Sequence, residues 1–242
     1  MKKLSIQTFY LFISLALLTA CSKNSTEDVP EPEPPVADTM FNRLITVLNF
    51  GEALAEGSQP LDPQLPIYYS LEQNQPAPAT YKQTNRWDIS FNGTYRSFMG
   101  GNNSITGNLG AGGPGKGGIL ILAKNFEEVT TITADADFRT GSGLIGTDDS
   151  GAFGQGLGYY LYDFDGTIKG DGSYNSQHIA WVIQSGRTVV VRTARGNYAK
   201  IKMLSIYKDA LNPKDWKRDA PHPYFSFQYV LAKAGSKTFD IK

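Results

Sequence analysis

The stretch Thr188-Val-Val-Val-Arg-Thr-Ala-Arg-Gly-Asn-Tyr-Ala-Lys-Ile-Lys-Met-Leu-Ser-Ile-Tyr207 decides the fold. Val189, Val190 and Val191 are β-branched and favour an extended backbone. Ala194-Arg195-Gly196-Asn197 supplies turn chemistry, because Gly and Asn tolerate positive φ. The return limb then alternates, with Ala199, Ile201 and Met203 on one side and Lys200 and Lys202 on the other. A period of two predicts a hairpin in a sheet with one face on a core and the other in water.

Working outward, the same chemistry repeats. Phe41 to Phe50 reads as a first strand, and Ile67 to Leu71 as another. Between them Gly51 to Leu65 is a long connection broken by Pro60 and Pro63, with one helical turn expected over Glu52 to Glu56. Gln73 to Thr80, with Pro76 and Pro78, reads as a loop. Arg86 to Phe91 is a strand with Trp87, Ile89 and Phe91 on one face and Asp88 and Ser90 on the other; Tyr95 to Met99 is expected to continue it after a kink at Gly93. Further strands are predicted over Ile119 to Ala123, Gly158 to Asp163, His178 to Ile183 and Tyr224 to Leu231. Phe126 to Ile132 reads as a link, and Ala136 to Asp149, Gly170 to Gln177 and Leu211 to Pro223 as loops. Short strands at regular spacing, 25 glycines, and 13 each of Tyr and Phe point to an all-β chain. The expected architecture is an antiparallel β-sandwich or barrel-like stack with little helix.

The first twenty residues read as an address. Lys2 and Lys3 precede the apolar run Leu11 to Leu18, which is too short to span a bilayer. The run ends in Leu18-Thr19-Ala20-Cys21, the pattern of bacterial lipoprotein processing, and Cys21 is the single cysteine. Cys21 is therefore expected to be the lipidated N-terminus, with its acyl chains in the bilayer. Residues 21–40, rich in Pro and Glu, form an expected tether, and residues 41–242 the β domain. Outer-membrane attachment, with exposure at the cell surface, follows as an expectation.

Composition narrows the function. The chain holds 23 basic and 23 acidic residues, and removing Lys2 and Lys3 leaves 21 against 23. That balance carries no electrostatic footprint for nucleic acid. With Cys21 consumed, no thiol nucleophile and no Cys-type zinc site remain, and only His178 and His222 could serve a Ser/His/acid triad. Gly110-Ala-Gly-Gly-Pro-Gly115-Lys116-Gly117 nearly spells a phosphate-binding loop, but Gly117 stands where a hydroxyl is needed, and a strand follows rather than a helix. Asp163-Phe-Asp165-Gly166 resembles the start of a calcium loop with its glycine too early, so a polar turn is the expectation. Asp148/Asp149 and Asp135/Asp137 are the acid pairs open to glycoside hydrolysis, and solvated turns explain them as well. A non-enzymatic protein is expected.

The residues left for ligand chemistry are few. His178 opens an apolar strand, where it could bond backbone or water, or ligate iron. His222 sits between Pro221 and Pro223 in an expected exposed loop. Met99 precedes Gly100-Gly101, where a loop would make its thioether reachable; Met203 reads as core.

Four stretches resemble the HmuY-like lipoproteins of Bacteroidetes: Asn85-Arg-Trp-Asp-Ile-Ser-Phe91, Gly112-Gly-Pro-Gly-Lys-Gly-Gly118, Arg187 through Tyr207, and Tyr224-Phe-Ser-Phe-Gln-Tyr229. The resemblance covers about Ile67 to Val230; Phe41 to Pro66 matches poorly. It implies an all-β fold, attachment to the outer membrane and capture of haem, which the family's best-known member holds by two axial histidines on loops before the strand that resembles Arg187 to Thr193. Ala134 to Ser176 contains no His and no Met. His178 falls near the second ligand's place, where Asn175 or a neighbour aligns, and the first ligand has no counterpart. His178 and Met99 are thus the candidate haem ligands. The alternative is a scaffold of this family without haem ligation, binding another ligand or a protein partner at the cell surface.

Overall fold

The computed structural model describes residues 34–54, 64–151, 154 and 156–241. The expected signal peptide, Cys21 and most of the tether lie outside them, as do Ala55 and Glu56 of the expected helical turn; Glu52 to Leu54 have no regular structure. The strands run β1 (Leu44–Gly51), β2 (Gln64–Ser70), β3 (Gln75–Ala77), β4 (Ile89–Gly93), β5 (Phe98–Gly101) and β6 (Gly118–Leu122). They continue with β7 (Tyr160–Asp163), β8 (Ile179–Val182), β9 (Thr188–Arg192), β10 (Tyr198–Ser205) and β11 (Tyr224–Ala232). One sheet has the order β1-β11-β10-β9-β6, a second β3-β2-β4-β5, and β7-β8 form a two-stranded ribbon. Every strand pairing is antiparallel. The architecture is a sandwich of open sheets and not a closed barrel.

The hairpin lies at the centre of the first sheet. Val191 pairs with Ala199 and Val189 with Ile201, and Gly196 takes φ +93° in the turn. Ala199, Ile201 and Met203 face the core beside Val189 and Val191. The two sheets meet through aromatic contacts: Phe91 of β4 stacks on Phe225 of β11 at 3.7 Å, and Tyr69 of β2 meets Phe227 edge-on at 5.5 Å. Such pairs add to the area they bury.

Lys200 departs from expectation. It is 1 % exposed, not solvated. Its Nζ donates to Phe126 O at 2.8 Å and Val129 O at 3.0 Å, and lies 4.4 Å from the Phe126 ring centre. The outer face of the sheet is covered here by a second apolar cluster that includes Val129, Phe138, Val190 and Phe239. The lysine stem packs under this cover while its ammonium satisfies carbonyls at the end of a 3-10 turn, Phe126–Glu128. Burial holds its pKa below the usual lysine range.

Two more expectations are corrected. Gln75–Ala77, read as loop, is an edge strand on β2, and Pro76 is tolerated because an edge strand leaves its missing N–H unused. The chain does not continue past Gly93 but reverses there, so that β5 returns along β4 with Met99 opposite Phe91. The faces assigned to Trp87–Phe91 are both buried: Asp88 is as enclosed as Ile89.

Asp88 explains why. Its Oδ2 accepts from Leu71 N (2.8 Å) and Glu72 N (3.2 Å), and its Oδ1 from Ala194 N (3.0 Å) in the hairpin turn. Beside it, Glu72 Oε1 accepts from Thr193 Oγ1 (2.6 Å) and Asn197 Nδ2 (2.7 Å), and its Oε2 lies 2.9 Å from Arg195 Nε. The turn of the first sheet is thereby fastened to the second sheet by two buried carboxylates. Burial first, and the Glu72 carboxylate second, push the Asp88 pKa up to about 7. An acid with a raised folded pKa contributes stability below its unfolded value near 4 and loses it as pH rises through the folded value. Asp88→Asn is therefore expected to remove a loss of melting temperature between about pH 4 and pH 7 that the native chain shows. Thermal melts of both proteins across that window check it. The amide also sets a donor against backbone N–H groups, at a cost of about 1–3 kcal/mol.

Candidate functional site

The ribbon β7-β8 carries His178. Tyr162 pairs with Ala180 and Asp163 with Ile179, so the intervening residues 164–178 form a loop at the ribbon's end. The Asp163 carboxylate organises this loop by accepting from the backbone N–H of Thr167 (2.9 Å), Ile168 (3.1 Å) and Lys169 (2.9 Å). Burial favours its neutral form, but the N–H groups of Lys169, Ile168, Gly170 and Thr167 outweigh this and hold its pKa below the usual range. The calcium-like spacing is thus a turn whose first carboxylate is filled by backbone donors. His178 closes the loop's neck by donating its N–H to Phe164 O at 3.1 Å, at φ +59°.

The imidazole of His178 is half-buried. Its Nδ1 lies 2.9 Å from the Tyr162 hydroxyl, and Phe164 meets the ring edge-on at 4.7 Å. Among the described residues no hydrogen bond reaches Nε2. Burial and then the Arg218 charge lower its pKa, with partial opposition from Asp165, so the ring is neutral at pH 7. A neutral imidazole oriented through one nitrogen presents the other as a metal ligand. Phe164, against the ring, and Ile168 and Tyr174, elsewhere on the same loop, are exposed apolar side chains. Arg218 lies 4.3 Å over the Tyr174 ring and donates to Gln177 Oε1 at 3.2 Å.

His222 comes to the same neighbourhood. Its ring contacts Tyr95 at 5.5 Å and Tyr207 at 5.6 Å. Tyr207 in turn accepts from Ala180 N of β8 at 2.9 Å and stacks on Trp216. The Nδ1 of His222 bonds Ala220 O at 2.8 Å; a carbonyl only accepts, so Nδ1 carries a proton. The charge of Arg218 also bears on Tyr95 and Tyr162. Both histidines therefore border one aromatic cluster, half-buried rather than in the exposed loop expected for His222. Sequence reasoning missed Tyr162, Tyr207 and Arg218, which converge from β7, from the segment just after β10 and from the loop that follows it.

Met99 is placed elsewhere. It belongs to β5, not to a loop, is 0 % exposed, and packs in the main core with its N–H on Ile145 O at 2.8 Å. One acid of each pair is also committed. Asp148 accepts from Arg187 Nη2 at 2.7 Å and Nε at 3.0 Å, and Asp135 meets the Tyr198 hydroxyl at 2.8 Å and Arg192 at 3.3 Å. In the glycine-rich loop a Cβ on Gly117 would lie 2.5 Å from Asn102 O and 2.8 Å from Arg192 O, so its glycines serve close backbone packing. Among the described residues no group of three or more His, Cys, Asp or Glu could hold a metal ion.

The electrostatics of His178 are testable. Its imidazole protons, followed by NMR, are expected to titrate below 6.5. Arg218→Gln should move the midpoint up and Asp165→Asn should move it further down. A midpoint unmoved by Arg218→Gln would show that the guanidinium does not act on the ring.

No curated protein matches the chain. A family model, that of the HmuY protein, matches residues 64–227, more than half of the sequence and the whole run from β2 into β11. The chain belongs to the HmuY family, a haemophore-type binding family.

Proposed function

We propose that the protein captures haem or a related porphyrin at the cell surface, held to the outer membrane by lipid on Cys21, and that it carries out no catalysis. The observation that carries the reading is His178: a neutral imidazole fixed through Nδ1 to Tyr162, with Nε2 unbonded among the described residues, beside exposed Phe164 on a loop that also exposes Ile168 and Tyr174. A planar apolar macrocycle suits such a rim, an imidazole is a natural axial ligand, and the Arg218 guanidinium suits a propionate. Family membership supports the same ligand. Met99, enclosed in the core, is the weaker of the two ligands considered from sequence.

Haemin titrated into the protein is expected to give a saturable one-to-one Soret shift. His178→Ala should weaken it roughly ten-fold or more, as loss of an axial ligand does. Met99→Ala should instead cost roughly 2–5 kcal/mol of stability as a core truncation and leave the bands of the folded protein in place. An unsaturable change, equal in the His178 variant, would sink haem capture and favour a scaffold for another ligand or a protein partner.

The tether rests on Leu18-Thr19-Ala20-Cys21 alone. In a bacterial host, metabolically supplied palmitate is expected to label the native chain and fractionate with membranes, whereas Cys21→Ser abolishes labelling. Label retained by the Cys21 variant would exclude this anchor.

A further inference from the structure

Away from His178, a cleft of about 590 Å³ opens between β1 and the β2-β3 edge. Its size falls within the range of small-molecule sites. The walls are apolar: Leu48, Leu65, Pro66, Ile67, Pro76 and Ala77. Leu65 at 80 % and Leu48 at 56 % are among the most exposed large hydrophobic residues of the described chain. Among the described residues one cation lines the cleft, Arg96, and it is only 7 % exposed.

The guanidinium is incompletely used. Its Nε donates to Leu65 O at 2.9 Å and its Nη2 to Glu52 Oε1 at 3.0 Å. Nη1, shut off from solvent, has no hydrogen-bond partner among the described residues. A buried donor left unbonded is costly, and native structures rarely keep one without a reason. Glu52 is 68 % exposed and makes a one-point pair on an edge that offers two parallel donors.

The backbone beneath this arginine is held in an uncommon state. Tyr95 and Arg96 both take left-handed φ, +53° and +54°. Consecutive non-glycine residues in that region are strained and persist only when their surroundings force them. Here the next residue is locked twice, by Tyr159 Oη on Ser97 O (2.6 Å) and Tyr160 Oη on Ser97 Oγ (2.9 Å), both buried. The turn delivers Tyr95 to His222 and Arg96 to the cleft. Strain supported in this way is characteristic of ligand clamps.

We infer that this cleft binds an amphipathic carboxylate, a single acid group on an alkyl or aryl body, with the acid on the Nη1–Nη2 edge of Arg96, closed to solvent until Glu52 leaves it, and the body along Leu48 and Leu65. Glu52 occupies part of that edge in the free protein and is displaced by the ligand's own carboxylate. The two acids compete for one cation, so Glu52 sets a threshold for binding. The site is separate from the haem reading and stands without it.

The probe is 11-(dansylamino)undecanoic acid, titrated by fluorescence into the full chain carrying Cys21→Ser. Saturable one-to-one binding is expected, with the methyl ester roughly ten-fold weaker or more because it cannot form the charged fork. Arg96→Gln should lose the acid's advantage, Glu52→Gln should tighten binding several-fold, and His178→Ala should change nothing. Equal affinity for acid and ester, or an unchanged acid affinity in folded Arg96→Gln, overturns the proposal. Should Arg96→Gln fail to fold by circular dichroism, Leu48→Glu at the exposed mouth decides. Loss of binding there, together with tighter binding in Glu52→Gln, supports the site, and binding unchanged in both overturns it.

Discussion

The buried carboxylate pair Glu72 and Asp88 is the constraint on which the rest of the sandwich depends. Asp88 takes donors from the end of β2 and from the turn between β9 and β10, while Glu72, at the end of β2, takes its donors from that same turn. Two sheets packed only through apolar side chains can slide or re-register, because dispersion and area burial are non-directional. Hydrogen bonds to fixed backbone N–H groups cannot shift by a residue without leaving charges unpaired. The network therefore sets where the central hairpin sits against the second sheet. Phe91 then stacks on Phe225, and Tyr69 meets Phe227. Two of the stretches that resemble the HmuY family, around Trp87-Asp88 and around Arg192-Thr193-Ala194-Arg195, carry Asp88 and the turn that it and Glu72 hold.

With the sheets in register, the ribbon β7-β8 packs Tyr160, Ile179 and Val182 into the same core and leaves its end loop outside it. The ribbon β7-β8 belongs to neither large sheet and projects a loop held by Asp163, at whose neck His178 sits. The strained turn at Tyr95 and Arg96 is anchored from below by Tyr159 and Tyr160, which couples the start of that same ribbon to the second sheet. Rigid supports under loops that carry polar groups are the usual way a β scaffold positions a binding site.

Much of the fold was legible in local pattern. β9 and β10, β6, β8 and β11 lie where β-branched runs, alternation and turn residues put them, because those signals act within a few residues. The misreadings share one cause. Lys200 looked solvated because a lysine between apolar neighbours usually is, yet the segment from Phe126 to Phe138 and the C-terminal Phe239 cover that face. Met99 looked reachable beside two glycines, yet those glycines are strand residues opposite Ile89 and Ser90. Pro76 masked an edge strand that pairs through the partners proline still allows.

By itself, the sequence determined the all-β class, the central hairpin, the absence of thiol and common zinc chemistry after Cys21, and the scarcity of ligand residues. Each follows from residue type and spacing over short range. Only the tertiary structure decided that Asp88 and Glu72 are buried together, that His178 and His222 border one aromatic cluster, and that Arg96 underlies an apolar cleft. Those outcomes depend on residues 16 to 125 positions apart along the chain, and on which faces other segments cover. Burial and pairing of polar groups are properties of the assembled sheets, and no local periodicity encodes them.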